Sequence, residues 1–116
     1  MTAPRVAGPV RQDSIVERIL RSMGKLELTS EQFQRIARAV SDPNRWEMLQ
    51  MIFREEQEVT CGDVSGSLPI TAGTASHHLK ELEVADLITV TKCGRFRKLT
   101  PRRDVWQAYL GQLQGL

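Results

Sequence analysis

The side chains able to do covalent or metal chemistry are few. The chain of 116 residues has two cysteines, Cys61 and Cys93, and two histidines, adjacent at His77 and His78. Zinc takes four N, S or O ligands, or three and a water. These four residues do not make such a set locally, so no metal site is expected. A Cys–His nucleophile is conceivable from Cys61 or Cys93 with His77 or His78, but the third, orienting group is missing. The sequence has no Gly-rich phosphate loop and no carboxylate pair with an evident pocket. The expectation is a protein that is not an enzyme and carries no cofactor. Cys61 reads first as a small, half-buried residue. Cys93 stands beside Lys92 and Arg95, which can lower a thiol pKa, although a plain turn residue is the simpler reading. Both are kept as candidate sensor thiols, and they are not expected to meet.

Charge is the stronger chemical signal. Residues 87–103 hold Lys92, Arg95, Arg97, Lys98, Arg102 and Arg103 and no acid. The whole chain is +2, so the remainder is net −4. A local basic patch on an acidic domain suggests a polyanionic partner; a solvated loop is the alternative. Hydrophobic residues make up 41% and charged residues 26%, which excludes wholesale disorder. No apolar run approaches the roughly 18 residues needed to cross a bilayer. The start, MTAPRVAGPVRQD, lacks an apolar stretch of signal-peptide length. Two cysteines are too few for a disulfide scaffold. One domain in the reducing cytoplasm, with no membrane partner, is expected.

Several elements must position that charge. Residues 1–11 contain Pro4, Gly8 and Pro9 without periodicity and read as a mobile tail, leaving 12–116 as the domain. Ser14 and Glu17 form a capping box before Val16, Ile19, Leu20 and Met23, which recur on one helical face up to Gly24. Thr29 and Gln32 form a second box, before Phe33, Ile36, Ala37 and Val40. Asp42-Pro43 opens a third helix, with Trp46, Leu49, Ile52 and Phe53 as its buried face. Thr60 and Asp63 cap a short helix with Val64 and Leu68. Thr71 caps the next, with Ala72, Ala75, Leu79 and Leu82 inward. After Asp86 the pattern turns extended: Leu87 to Thr91, a turn at Gly94, then Phe96 to Leu99, a β-hairpin. Thr100-Pro101 opens a last helix with Val105, Trp106, Tyr109, Leu110 and Leu113 on a broad apolar stripe.

Two short helices joined by a tight turn describe a helix-turn-helix. The major groove, about 12 Å wide, admits one helix. Its leading side chains must be short, and Thr74 and Ser76 are. His77 and Lys80 can reach base edges or phosphates. A basic hairpin after such a unit makes a winged helix, with Lys92, Arg95, Arg97 and Lys98 facing phosphate or the minor groove. Against this, residues 71–83 sum to −1, because of Glu81 and Glu83; both acids are placed on the rear half. The fold expected is mostly α (α+β), a winged helix-turn-helix with one two-stranded wing.

The segment SDPNRWEMLQMI (41–52) resembles the "ADPTRLRIL" helix start of ArsR/SmtB bacterial transcriptional repressors. TAGTASHHLKELEVADLI (71–88) resembles that family's recognition run, S-x-P-T-V-S-x-H-L-x-x-L-x-x-A-G-L, with Thr74, Ser76, His78, Leu79, Leu82, Ala85 and Leu87 matching. CGRFRKLT (93–100) resembles its wing. The likeness spans about residues 33–100. It implies a homodimer that represses by covering an operator, paired through its first and last helices, with His78 facing the fold. The stripes Val16/Ile19/Leu20/Met23 and Trp106/Tyr109/Leu110/Leu113 are compatible with that pairing. Two-fold symmetry then implies double-stranded DNA carrying an inverted repeat. The sequence departs from the family at EVTCGDV (58–64), where metal sensors often carry Cys-x-Cys and Cys61 is alone, and no histidine follows His78. Two alternatives remain: a winged-helix protein-interaction module, and a repressor sensing thiol oxidants or thiophilic metals through Cys61 and Cys93.

Overall fold

A computed structural model describes residues 26–55 and 58–116. The expected helix at 14–24, with Val16, Ile19, Leu20 and Met23, lies outside them, as does the tail. Five helices and three strands follow in the order α1 (Ser30–Val40), α2 (Pro43–Arg54), β1 (Val59–Thr60), α3 (Cys61–Ser65), α4 (Ala72–Val84), β2 (Ile88–Cys93), β3 (Phe96–Pro101) and α5 (Arg103–Gln114).

Local capping explains where four of the helices begin. Thr29 accepts from the Gln32 N–H at 3.1 Å. The expected reciprocal box is only half made, because the Gln32 side chain donates instead to Asp86, at 2.9 Å. Asp42 accepts from the N–H groups of Asn44 and Arg45, at 2.8 and 3.1 Å, with Pro43 at the first helical position. The bond from Arg45 is the main reason its carboxyl sits below the ordinary range. Thr60 and Asp63 complete a reciprocal box at 3.1 and 3.0 Å. Thr71 accepts from the Thr74 N–H at 3.1 Å. The last helix starts later than its sequence suggests. Pro101 stays in β3 opposite Ile88, and Arg102 takes the cap position without a side-chain cap.

α4 ends in a Schellman motif. Asp86 takes φ +63. Its N–H bonds the Glu83 carbonyl at 2.9 Å, and the Leu87 N–H bonds the Leu82 carbonyl at 3.1 Å. Leu82 and Leu87, the pair that such a motif brings together, are both fully buried. Asp tolerates the left-handed region better than most residues, and here its carboxylate also holds Gln32. Asp86→Ala is therefore expected to cost about 1–2 kcal/mol, from backbone strain and the missing bond. Urea unfolding checks this; an unchanged midpoint would show that the turn sets itself.

The sheet has one strand more than the sequence suggested. Its order is β1-β3-β2, all antiparallel, with Val59 opposite Leu99 and Thr60 opposite Lys98. β1 is two residues long, too short for a period-2 signal. Ile36, Met48, Ile52, Val64, Leu82, Leu87 and Val105 form the fully buried centre, so each of the five described helices contributes at least one residue to a single core.

Two expected faces shift. Trp46 is not core; it is 41% exposed, with its ring 6.1 Å from that of Trp106. The inward stripe of α2 runs Arg45, Met48, Leu49, Ile52, a perfect i, i+3, i+4, i+7 set. Arg45 takes the position that hydrophobicity alone gives to Trp46. Tyr109, expected at a dimer interface, is only 7% exposed within the single chain. Its ring lies 4.9 Å from Phe33 and 5.6 Å from Trp106, so most of its surface is already covered.

Candidate nucleic-acid interface

α4 buries Ala75, His78, Leu79 and Leu82. Helical geometry then sends Gly73, His77, Lys80 and Val84 straight outward, with Ser76 on one flank and Thr74 and Glu81 on the other. Thr74, Ser76, His77 and Lys80, the four residues expected to read DNA, are all exposed, with His77 and Lys80 on the outward face and Thr74 and Ser76 on its two flanks. Thr74 is partly engaged, since its hydroxyl oxygen accepts from the Thr71 hydroxyl at 2.9 Å. Its own proton stays available to an outside acceptor. Lys80 reaches Glu83 at 3.5 Å, a surface pair that an incoming phosphate can break at little cost. Glu81 lines a shallow notch with Arg35, Arg38 and Arg45, which offsets its charge.

Sequence reasoning missed Gly73. An added Cβ there would meet nothing within 4 Å, so the fold itself does not require glycine. Glycine inside a helix costs roughly 0.5–1 kcal/mol relative to alanine. A bare backbone at the front of α4 therefore makes sense as room for an outside surface. The signal was in the sequence, as a glycine two residues past a helix cap.

His78 is the one buried polar side chain among the described residues. Its Nδ1 faces the Arg45 guanidinium at 3.3 Å, and its Nε2 lies 4.0 Å from Asp42 Oδ1. Arg45 also donates to the carbonyls of Ala39 and Arg38, at 2.8 and 3.2 Å. One guanidinium thus joins the end of α1, the start of α2 and the middle of α4.

The wing is built around a two-residue turn, Gly94-Arg95. Gly94 has φ +60 and Arg95 does not share that left-handed backbone. That is the pattern of a type II′ turn, which matches the twist of a hairpin. Directly opposed residues share a face. Lys92 pairs with Arg97, so two cations sit side by side on one face, with Arg95 at the apex. Lys98, expected with them, lies on the other face. It is half-buried and bonds Glu58 at 3.2 Å. Cys93 and Phe96 share that face at the tip.

Cys61 opens α3 and Cys93 ends β2, both unbridged. Burial pushes the Cys61 thiol above its ordinary pKa, against the weaker opposing pull of Arg97. Among the described residues no three His, Cys, Asp or Glu side chains are grouped to hold a metal ion, and no helix is long and apolar enough to cross a membrane.

Two helices in tandem, the second outward-facing, followed by a basic hairpin, define the winged helix-turn-helix class. The helix-turn-helix domain family matches residues 40–91. The HTH-type transcriptional regulator YceK of Bacillus subtilis is 33% identical over 75 residues, 65% of this chain and 75% of that protein. The chain belongs to the helix-turn-helix family of transcriptional regulators, and its fold is that of ArsR-family winged-helix proteins. A crystal structure of an ArsR family transcriptional regulator aligns with a TM-score of 0.68 at 22% identity, covering 78% of this chain and 91% of the other. The homodimeric winged helix-turn-helix DNA-binding domain of a possible ArsR-family regulator from Mycobacterium bovis aligns at 0.60 and 17% identity, covering 92% and 90%.

Proposed function

We propose that this regulator is a homodimeric repressor of the cytoplasm that covers an inverted-repeat operator and is released by a signal. The observation that carries the reading is the pairing of an outward helix front (Gly73, Thr74, Ser76, His77, Lys80) with a basic wing tip (Lys92, Arg95, Arg97). In this reading the helix enters the major groove and the wing follows the backbone. Two copies place their helices about one DNA turn, or a multiple of it, apart. Lys98 joins only if it leaves Glu58. A protein-interaction module without DNA would have no use for an acid-free wing. Thiol sensing has less support, because burial of Cys61 favours its unreactive protonated form.

The test is DNA affinity on two substrates: a duplex selected in vitro from a random pool by the whole protein, and random-sequence duplex. His77→Ala removes a base-edge partner and is expected to cost about 1–3 kcal/mol on the selected duplex and little on random DNA. Equal losses on both would mean that α4 does not read sequence.

Dimerisation is assigned to the last helix. Trp106 and Leu110 are half-buried in the single chain and Leu113 is exposed, with the Trp46 ring beside that of Trp106. Val16, Ile19, Leu20 and Met23 are proposed to join the same contact. Trp106→Ala with Leu110→Ala should give monomers or unfolded chain in light scattering. A wild-type protein that is monomeric at micromolar concentration would remove the dimer from the proposal.

A further inference from the structure

The chain has three phenylalanines. Phe33 and Phe53 pack against the core. Phe96 does not. It is 64% exposed at the wing tip, while no other aromatic side chain exceeds Trp46 at 41%. Its partner across the turn is Cys93, a small side chain, and the next pair on that face is Thr91 and Lys98. Most of the ring is left uncovered by the described residues. Arg95 stands at the apex next to it, Lys92 and Arg97 stand on the opposite face of the same two-stranded ribbon, and the sequence from Leu87 to Arg103 holds no acid. A partner for this tip must offer negative charge and an apolar or π surface within a few ångströms of each other. The minor groove of duplex DNA does so, with phosphates on both walls and deoxyribose and base faces between them. Proteins that enter that groove insert Phe and other apolar wedges between base steps, partly unstacking them. A two-residue turn makes the tip narrow, as a groove about 6 Å wide demands.

We propose that Phe96 is such a wedge, inserted into the minor groove while Lys92, Arg95 and Arg97 hold the flanking phosphates. The inference rests on the DNA-binding reading above and adds to it a residue that binds through apolar contact and deforms the duplex. An anionic membrane is the other surface of mixed character. A single ring offers far less apolar area than the helix faces or acyl chains that anchor proteins there.

The experiment uses the whole protein and the selected duplex, with 2-aminopurine placed in turn at positions flanking the selected core. Wild-type binding should brighten the probe at one flanking step per half-site, because unstacking relieves quenching. Phe96→Ala should abolish that signal and weaken binding roughly ten- to hundredfold, the equivalent of burying one phenyl ring. The slope of affinity with salt should not change, because every phosphate keeps its cation. Phe96→Leu keeps an apolar wedge and should retain most of the affinity. Arg95→Ala should do the reverse of Phe96→Ala, lowering the slope by roughly one unit with the probe still bright. The ring is mostly solvated in the free protein, so thermal unfolding of Phe96→Ala should match wild type. Unchanged affinity in Phe96→Ala, or a probe dark at every position on wild-type binding, overturns the wedge. So does binding to phosphatidylserine vesicles that Phe96→Ala abolishes while DNA affinity stays the same. If the wild type itself shows no salt-dependent binding to duplex, the DNA-binding reading fails first and the wedge fails with it.

Discussion

Replacing Lys92, Arg95 and Arg97 together by alanine is expected to weaken DNA binding on the order of a hundredfold at about 0.15 M salt. Each phosphate neutralised by a cation releases condensed counterions, which steepens the fall of affinity with salt by about 0.9 logarithmic units. Removing three such cations should therefore flatten the slope by roughly two to three units. The loss should be the same on selected and random duplex, because phosphates carry no sequence. Lys92 and Arg97 are directly opposed on one face of the wing. Like charges so placed repel one another, so their removal should not lower stability, and the triple variant should melt at or above the wild-type temperature. Affinity measured on both duplexes from about 50 to 300 mM salt checks the slope. A loss confined to the selected duplex would mean that these three cations touch bases rather than phosphates, and an unchanged slope would take them off the DNA altogether.

Arg45→Ala should be the most damaging single change outside the apolar core. Its guanidinium donates to the Ala39 and Arg38 carbonyls and faces His78 Nδ1 at 3.3 Å. Arginine only donates, so Nδ1 must accept, which puts the imidazole proton on Nε2, toward Asp42. Truncation leaves the Ala39 carbonyl and a buried ring nitrogen without this donor, while the Arg38 carbonyl keeps the Ser41 hydroxyl at 2.7 Å. Hydrogen bonds to charged groups contribute about 1.5–3 kcal/mol each, less where water can replace the partner. The half-buried setting points to a total of about 2–4 kcal/mol. Thermal unfolding should then begin roughly 10 °C lower or more. Arg45→Lys should rescue little, because a single ammonium cannot reproduce a planar fork of donors toward three acceptors. A change in stability within about 0.5 kcal/mol of wild type would class the cluster as an ordinary surface contact. His78 lies on α4, one residue from His77, so the folded fraction of Arg45→Ala should also bind the selected duplex more weakly.

Capping shows how far local reading goes. Thr60 with Asp63, Asp42 with Pro43, and Thr71 each cap as their spacing says, and Gly94 sits at the turn. The exposed front of α4 follows from the same periodicity. Failures begin where a residue has a choice of distant partners. Thr29 and Gln32 have capping-box spacing, yet Gln32 bonds Asp86, 54 residues away. Lys98 belongs to a basic run by sequence, yet it pairs with Glu58 across β1. Alternation places Phe96 in a strand and on a face, but it does not say what covers the ring.

The described helices, the wing and the outward face of α4 are thus legible in the residues themselves. Each rests on interactions between residues two to four positions apart, whose geometry any folded context must respect. Other features exist only once the chain is packed: Arg45 rather than Trp46 turns inward, Phe33 and Trp106 enclose Tyr109, and a two-residue strand at Val59–Thr60 completes the sheet. Hydrophobicity ranks side chains by their cost in water. It does not say which neighbour offers a half-buried charge its acceptors, and Arg45 is inward because the end of α1 and the ring of His78 supply them.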